Sequence, residues 1–182
     1  MSGSTPFEVD DAVVLLLGAP ASSPALSGRV EGITRLEKLL FLFERESDLG
    51  ALLDDDLEFR AHNFGPFSSK VYQAVEVLKS AGLITDSAKL ADDNEDAWES
   101  EELIGDQPDS LYTTRDFALT DRGRRYYEAL REEVLTEEKE RELSQFKERF
   151  GSIPLRQLIR YVYNRYPELT EKSLIRDQIL GR

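Results

Sequence analysis

Three stretches of the chain predict a mostly helical α+β fold with a small β-hairpin. Residues 64–84, Phe-Gly-Pro-Phe-Ser-Ser-Lys-Val-Tyr-Gln-Ala-Val-Glu-Val-Leu-Lys-Ser-Ala-Gly-Leu-Ile, read as a short amphipathic helix that stops at a glycine and runs into a β-prone pair. Phe117-Ala-Leu-Thr-Asp-Arg-Gly123 reads as a strand that ends on a threonine and opens a second helix. Beyond it the apolar spacing is helical again to the end. Helix, two-stranded hairpin and return helix in that order predict a winged helix-turn-helix followed by C-terminal helices.

The elements follow in order. Phe7 to Gly18 predicts a first helix with Val9, Val13, Leu16 and Leu17 on its buried side. Ala19 to Arg29 holds prolines, glycine-adjacent turns and serines, and reads as a loop. A second helix is expected from Thr34, as N-cap, to about Glu46. Leu36, Leu39, Leu40 and Phe43 form its core positions, with Arg35, Lys38 and Arg45 outside. Phe41 and Leu42 make it nearly apolar all round, as for a helix central to a core.

Asp54-Asp55-Asp56 predicts a turn and Leu57–Phe64 a strand. Pro66 fits the first turn of the third helix, where a missing N–H costs nothing. Its stripe is Val71, Ala74, Val75 and Leu78, and Gly82 ends it in a left-handed conformation. Leu83–Thr85 and Leu111–Thr120 are the hairpin strands. From Asp121 a long helix runs towards Phe150, broken near Thr136. Ser152 is expected to cap the next helix, with Pro154 in its first turn, and Thr170 to cap a last one ending at Gly181.

The chain divides on this reading into a winged-helix domain, 1–123, with an acidic insert at about 86–110, and a C-terminal helical region, 124–182. The 182 residues carry a formal charge of −13, and 40% are hydrophobic, enough for a packed core. Residues 86–110 hold ten acidic groups and one basic group, whereas 111–182 hold fifteen basic and thirteen acidic. The absence of cysteine excludes disulfides and thiolate chemistry. The apolar run Ala12–Ala19 is too short to span a bilayer and follows two aspartates, so a cytoplasmic chain without membrane association is expected. Arginines outnumber lysines 16 to 7 and aspartates are plentiful, a composition suited to a halophilic cytoplasm. At molar salt the screening length falls to about 3 Å, so the net acidity would repel a nucleic acid little.

Three motifs carry a resemblance: Gly32-Ile-Thr-Arg-Leu-Glu-Lys-Leu-Leu-Phe-Leu42, Asn63-Phe-Gly-Pro-Phe-Ser-Ser69 and Leu119-Thr-Asp-Arg-Gly123. With the tail Leu158–Pro167, their order and spacing resemble prokaryotic winged-helix regulators of the YwgA-like type, and more loosely the Panacea-domain antitoxins. The likeness covers most of the chain except its start and residues 86–110. It implies a DNA-binding, non-enzymatic regulator, or an antitoxin-like protein binder on the same fold.

If the chain binds DNA, the helix from Phe67 to Ser80 is the major-groove element. Ser68, Ser69, Lys70 and Gln73 near its start are the residue types that meet phosphate and base edges. Arg115, Arg122, Arg124 and Arg125 cluster around the wing base and suit bidentate phosphate contacts. Salt bridges to Asp116, Asp121 and Glu128 are the alternative use of those arginines. Arg156, Arg160 and Arg165, interleaved with Tyr161, Tyr163 and Tyr166, are expected to pack a helix onto its own domain or a dimer mate. A homodimer reading two half-sites is the expected assembly.

The wing tip carries Asp92, Asp93, Glu95, Asp96, Glu99, Glu101 and Glu102 where a minor-groove wing would carry basic side chains. That favours the second expectation, a protein-interaction module (antitoxin or adaptor) whose acidic insert, with Trp98 inside it, docks a partner. No cofactor or metal is expected. His62, the only histidine, is a strand residue, and Asp92–Asp96 lacks the glycine and terminal glutamate of a calcium loop.

Overall fold

The computed structural model describes residues 6–62, 65–86, 89–90, 113–114, 116–173 and 175–181. Asn63, Phe64, Arg115 and residues 91–112, with most of the acidic insert and Trp98, lie outside them.

Helices dominate, and the strands form small antiparallel sheets. Helix α1, Val9–Gly18, is apolar on every side: Ala12 to Leu17 are all buried. Strand β1, Arg29–Glu31, begins at the last residue of the expected loop and takes in Val30 and Glu31, to which the sequence reading assigns no element. It was hidden because three residues with one apolar centre, Val30, give no periodicity to read.

Helix α2, Ile33–Glu46, starts one residue before the expected cap, with Gly32 as N-cap at φ 91°. Thr34 therefore sits in the first turn. The helix is central, as its composition predicts, so Arg35 and Lys38 are buried rather than outside. Each is buried with its N–H groups donating to main-chain oxygens: Arg35 to the Gly151 and Ile153 carbonyls, Lys38 to the Pro66 carbonyl at 2.9 Å.

After a 3₁₀ turn at Asp48–Leu52, the expected strand is a hairpin: β2, Arg60–His62, against β3, Gly65–Phe67. Pro66 is thus a strand residue opposite Ala61, on a two-stranded sheet where a missing donor is tolerated. Helix α3, Ser69–Ser80, then starts at Ser68, whose hydroxyl accepts from the Val71 amide. Gly82 follows at φ 73°, the left-handed stop that the sequence predicts.

Strand β4, Ile84–Asp86, pairs with the last strand in the expected antiparallel sense, Ile84 opposite Leu119. Lys89–Leu90 (β5) and Thr113–Thr114 (β6) pair with each other, and Asp116–Leu119 (β7) lies between β1 and β4. Helix α4, Asp121–Val134, and helix α5, Glu137–Gly151, break at Thr136, which caps the second.

Helix α6, Leu155–Arg165, has Pro154 as its N-cap, while Ser152 ends α5 and donates to the Glu148 carbonyl. Thr170 is buried at the end of a 3₁₀ turn, Pro167–Leu169, and the last helix, α7, begins only at Arg176 and runs to Leu180. Both expected caps were misplaced because each hydroxyl bonds back into the preceding turn instead of forward.

One cluster of buried side chains runs from Phe7 to Ile179 and takes in α1 to α7. Position 123 falls in the first turn of α4. Among the described residues no helix is long and apolar enough to cross a membrane.

Candidate nucleic-acid interface

Helix α3 leans on α1 and β4 with Val71, Ala74, Val75 and Leu78. Its other flank, Ser69, Gln73, Glu76, Val77 and Ser80, is exposed; Val77 at 54% is the most open large apolar side chain described. Twelve residues give the helix a length of about 18 Å, and a helix of ordinary diameter enters a major groove about 12 Å wide.

The motif at the far end of α3 builds a rigid corner. Thr120 accepts from the Gly123 amide at 3.0 Å, capping α4, and donates to the Gly82 carbonyl at 2.6 Å. A Cβ on Gly123 would collide with the Leu83 carbonyl, so glycine is what lets α4 lie against the exit of α3. Leu-Thr-x-x-Gly is thereby a packing signature, joining the end of one helix to the start of the next.

Arg122, Arg124 and Arg125 project from that corner. All three are exposed, and none forms an ion pair among the described residues. Two of the carboxylates that the sequence offers them bind elsewhere: Asp116 lies 3.9 Å from Arg29 and Glu128 2.8 Å from Arg131. The guanidinium of Arg124 lies over Gly28, whose φ of 70° and missing side chain leave room for it. Three exposed guanidiniums, without an ion pair among the described residues, at a corner tied to the end of α3 can receive anionic oxygens bidentately.

The expected residues at the start of α3 fare differently. Ser69 and Gln73 are exposed. Ser68 is fully buried: its amide donates to Glu37, its hydroxyl to the Leu57 carbonyl, and no face of it can reach a duplex. The sequence places it correctly at a helix start but cannot show that the start is under cover. Lys70 is in reach of solvent, yet its ammonium lies 2.7 Å from Asp55, 2.7 Å from the Asp56 carbonyl and 3.4 Å from Glu58. Asp55 foremost holds the ammonium in its charged form, and Lys70 in turn lowers the Asp55 pKa. Lys79, at the other end, lies 3.7 Å from Asp86. Arg115 is outside the described residues.

The C-terminal arginines, though exposed, and the tyrosines bond to the chain itself. Glu46, at the end of α2, accepts from the Tyr161 hydroxyl at 2.8 Å and the Tyr166 hydroxyl at 2.9 Å, and pairs with Arg165 at 2.6 Å. Arg156 and Arg160 donate to the Gln178 and Ile179 carbonyls at the end of α7. Tyr163 is buried and its hydroxyl meets Ser173 at 2.7 Å. These side chains hold the tail to the body.

Two buried charges escaped sequence reasoning. Glu37, 2% exposed, is pushed up to about 8 by burial, against the opposing pull of Lys38 and the Ser68 amide; its second oxygen has no hydrogen-bond partner. Lys147, fully buried on α5, donates to the Leu17 carbonyl at 2.7 Å and the Ala19 carbonyl at 3.1 Å, closing the C-terminus of α1. Burial pulls it down to about 8. His62 stacks on Phe67 with ring centres 4.7 Å apart. Among the described residues no group of three or more His, Asp or Glu side chains is placed to hold a metal ion.

No protein-family model matches the chain, and no curated protein matches it.

Proposed function

We propose that the chain is a non-enzymatic, DNA-binding transcriptional regulator of winged-helix type, with α3 in the major groove and the wing-base arginines on the flanking phosphates. The order α1, β1, α2, α3, β4, β7 supports the winged-helix reading, with β4 and β7 as the two sides of the wing. The observation that carries the function is an open polar flank on α3 together with Arg122, Arg124 and Arg125 at the corner that follows the wing, none of which pairs with a carboxylate among the described residues. A solvated face of a core helix needs no such neighbours. In this arrangement Ser69 and Gln73 meet the groove, and the arginines set the register on the backbone.

The test is selection of duplex DNA from a randomised pool, followed by polarisation across a potassium chloride series. Arg124→Ala should weaken all sequences alike, whereas Gln73→Ala should relax preference at one base pair. A wild-type chain that enriches no duplex and binds none at any salt concentration sinks the proposal.

The formal charge of −13 favours a second reading, a protein-interaction module such as an antitoxin or adaptor whose acidic insert binds a basic partner. Deleting residues 88–108 separates the two: partner capture is lost under this reading, and DNA affinity is kept or improved under the first.

A further inference from the structure

We propose that the acidic turn at residues 54–58 is an autoinhibitory latch that holds Lys70 away from DNA and must release it for α3 to seat fully. The inference rests on the DNA-binding reading of α3.

The ammonium of Lys70 has three donors, and three oxygens meet it: Asp55 Oδ2, the Asp56 carbonyl and Glu58 Oε1. They come from consecutive parts of one turn, which is built rather than loose. Leu57, at its centre, is fully buried. The Leu57 amide donates to Glu44 at 2.8 Å and its carbonyl accepts from the Ser68 hydroxyl, so the turn is fixed on both sides of that residue. Asp56 accepts from the Glu58 amide at 2.7 Å, and Glu58 takes the left-handed backbone, φ 55°, which a non-glycine residue adopts only at a cost. With that backbone, the Glu58 carboxylate lies 3.4 Å from the Lys70 ammonium.

The same side chain is the first cation of the helix offered to the groove. Lys79, the second, is paired to Asp86. In the closed state α3 therefore presents no uncommitted cation of its own, and the cations without an ion pair nearest its end, among the described residues, are those of the arginine corner. Phosphate competes with Asp55 and Glu58 for the ammonium, and an exposed pair is weak enough to exchange. Binding then proceeds from the arginine end of α3 towards its N-terminal end, with latch opening as the second event.

The experiment compares wild type, Asp55→Asn/Glu58→Gln, and that pair combined with Lys70→Ala, on a fluorescein-labelled duplex recovered from the selection above. Asp54→Asn is the control for charge alone. The latch predicts at least fivefold tighter binding for the double variant, loss of that gain when Lys70→Ala is added, and no more than a twofold change for the control. Labelling of the Lys70 amine by an acylating reagent, read by mass spectrometry without DNA, should rise several-fold in the double variant. Wild-type binding that the double variant leaves unchanged overturns the latch and spares the DNA reading, as does a gain that persists without Lys70. Unchanged amine labelling overturns the latch on its own. If no variant binds any duplex, the DNA reading fails and takes the latch with it.

Discussion

The hydroxyl of Thr120 spans two helices: it caps α4 through the Gly123 amide and donates to the Gly82 carbonyl, 2.6 Å away, where α3 has just ended. Removing it should cost more than an ordinary cap. Thr120→Ala should destabilise the fold by about 1–3 kcal/mol, the cap and the second bond together, as read from urea unfolding. Gly123→Val, which drives a side chain into the Leu83 carbonyl, should fail to give a cooperative transition at all.

Two separate buried charges, Glu37 and Lys147, should give the stability curve a trough. Glu37 is raised from 4.5 to about 8, so the folded state holds its proton more tightly than the unfolded chain does. Its contribution is fully present below pH 4.5 and is lost as pH rises to about 8. Lys147 is lowered from 10.5 to about 8, so the folded state holds that proton less tightly, and stability recovers between pH 8 and 10.5. Melting temperature against pH should therefore dip near pH 8. Glu37→Gln should remove the falling limb and Lys147→Met the rising one.

Glu46 gathers two tyrosine hydroxyls and the Arg165 guanidinium. Glu46→Ala should lower stability by about 2–4 kcal/mol by leaving these groups without an acceptor, and should expose the tail from α6 onwards to proteolysis. Glu46→Gln keeps one acceptor oxygen and should recover part of the loss. Equal protease resistance in all three chains contradicts this account.

The arginine corner makes a prediction about salt. Each phosphate contact releases counterions, so replacing Arg124 with alanine should reduce the slope of log affinity against log salt by about 0.9. A like change should follow Arg122→Ala or Arg125→Ala if each meets its own phosphate. A slope that none of the three moves would place the duplex elsewhere.

Much of the fold is legible because its signals are local. The alternation of apolar and polar residues marks α3, the left-handed glycine marks its end, and Thr136 marks the break between α4 and α5. The antiparallel pairing of Ile84–Asp86 with Phe117–Leu119 falls on the β-prone runs that the sequence marks at 83–85 and 111–120. What the sequence hides depends on distant chain. Strand β1 has a single buried side chain and exists because β7 arrives beside it. Arg35 and Lys38 read as surface charges, since the carbonyls that admit them to the interior come from segments 28 to 118 residues away. The site divides in the same way. Arg122, Arg124, Arg125 and the Gln73 flank lie at the surface where the sequence expects them, whereas Ser68 and Lys70 are taken up by residues 55–58, which the sequence marks only as a turn and the start of a strand.

The sheet also sets an order of events during synthesis. Its middle member, β7, is the last of its three strands to leave the ribosome, and both β1 and β4 wait for it with unpaired edges. A nascent chain that stalls before Asp116 has no means of closing that layer, and the helices already made must bury their apolar faces without it. Chaperone demand should therefore peak while residues 30 to 115 are out and β7 is not.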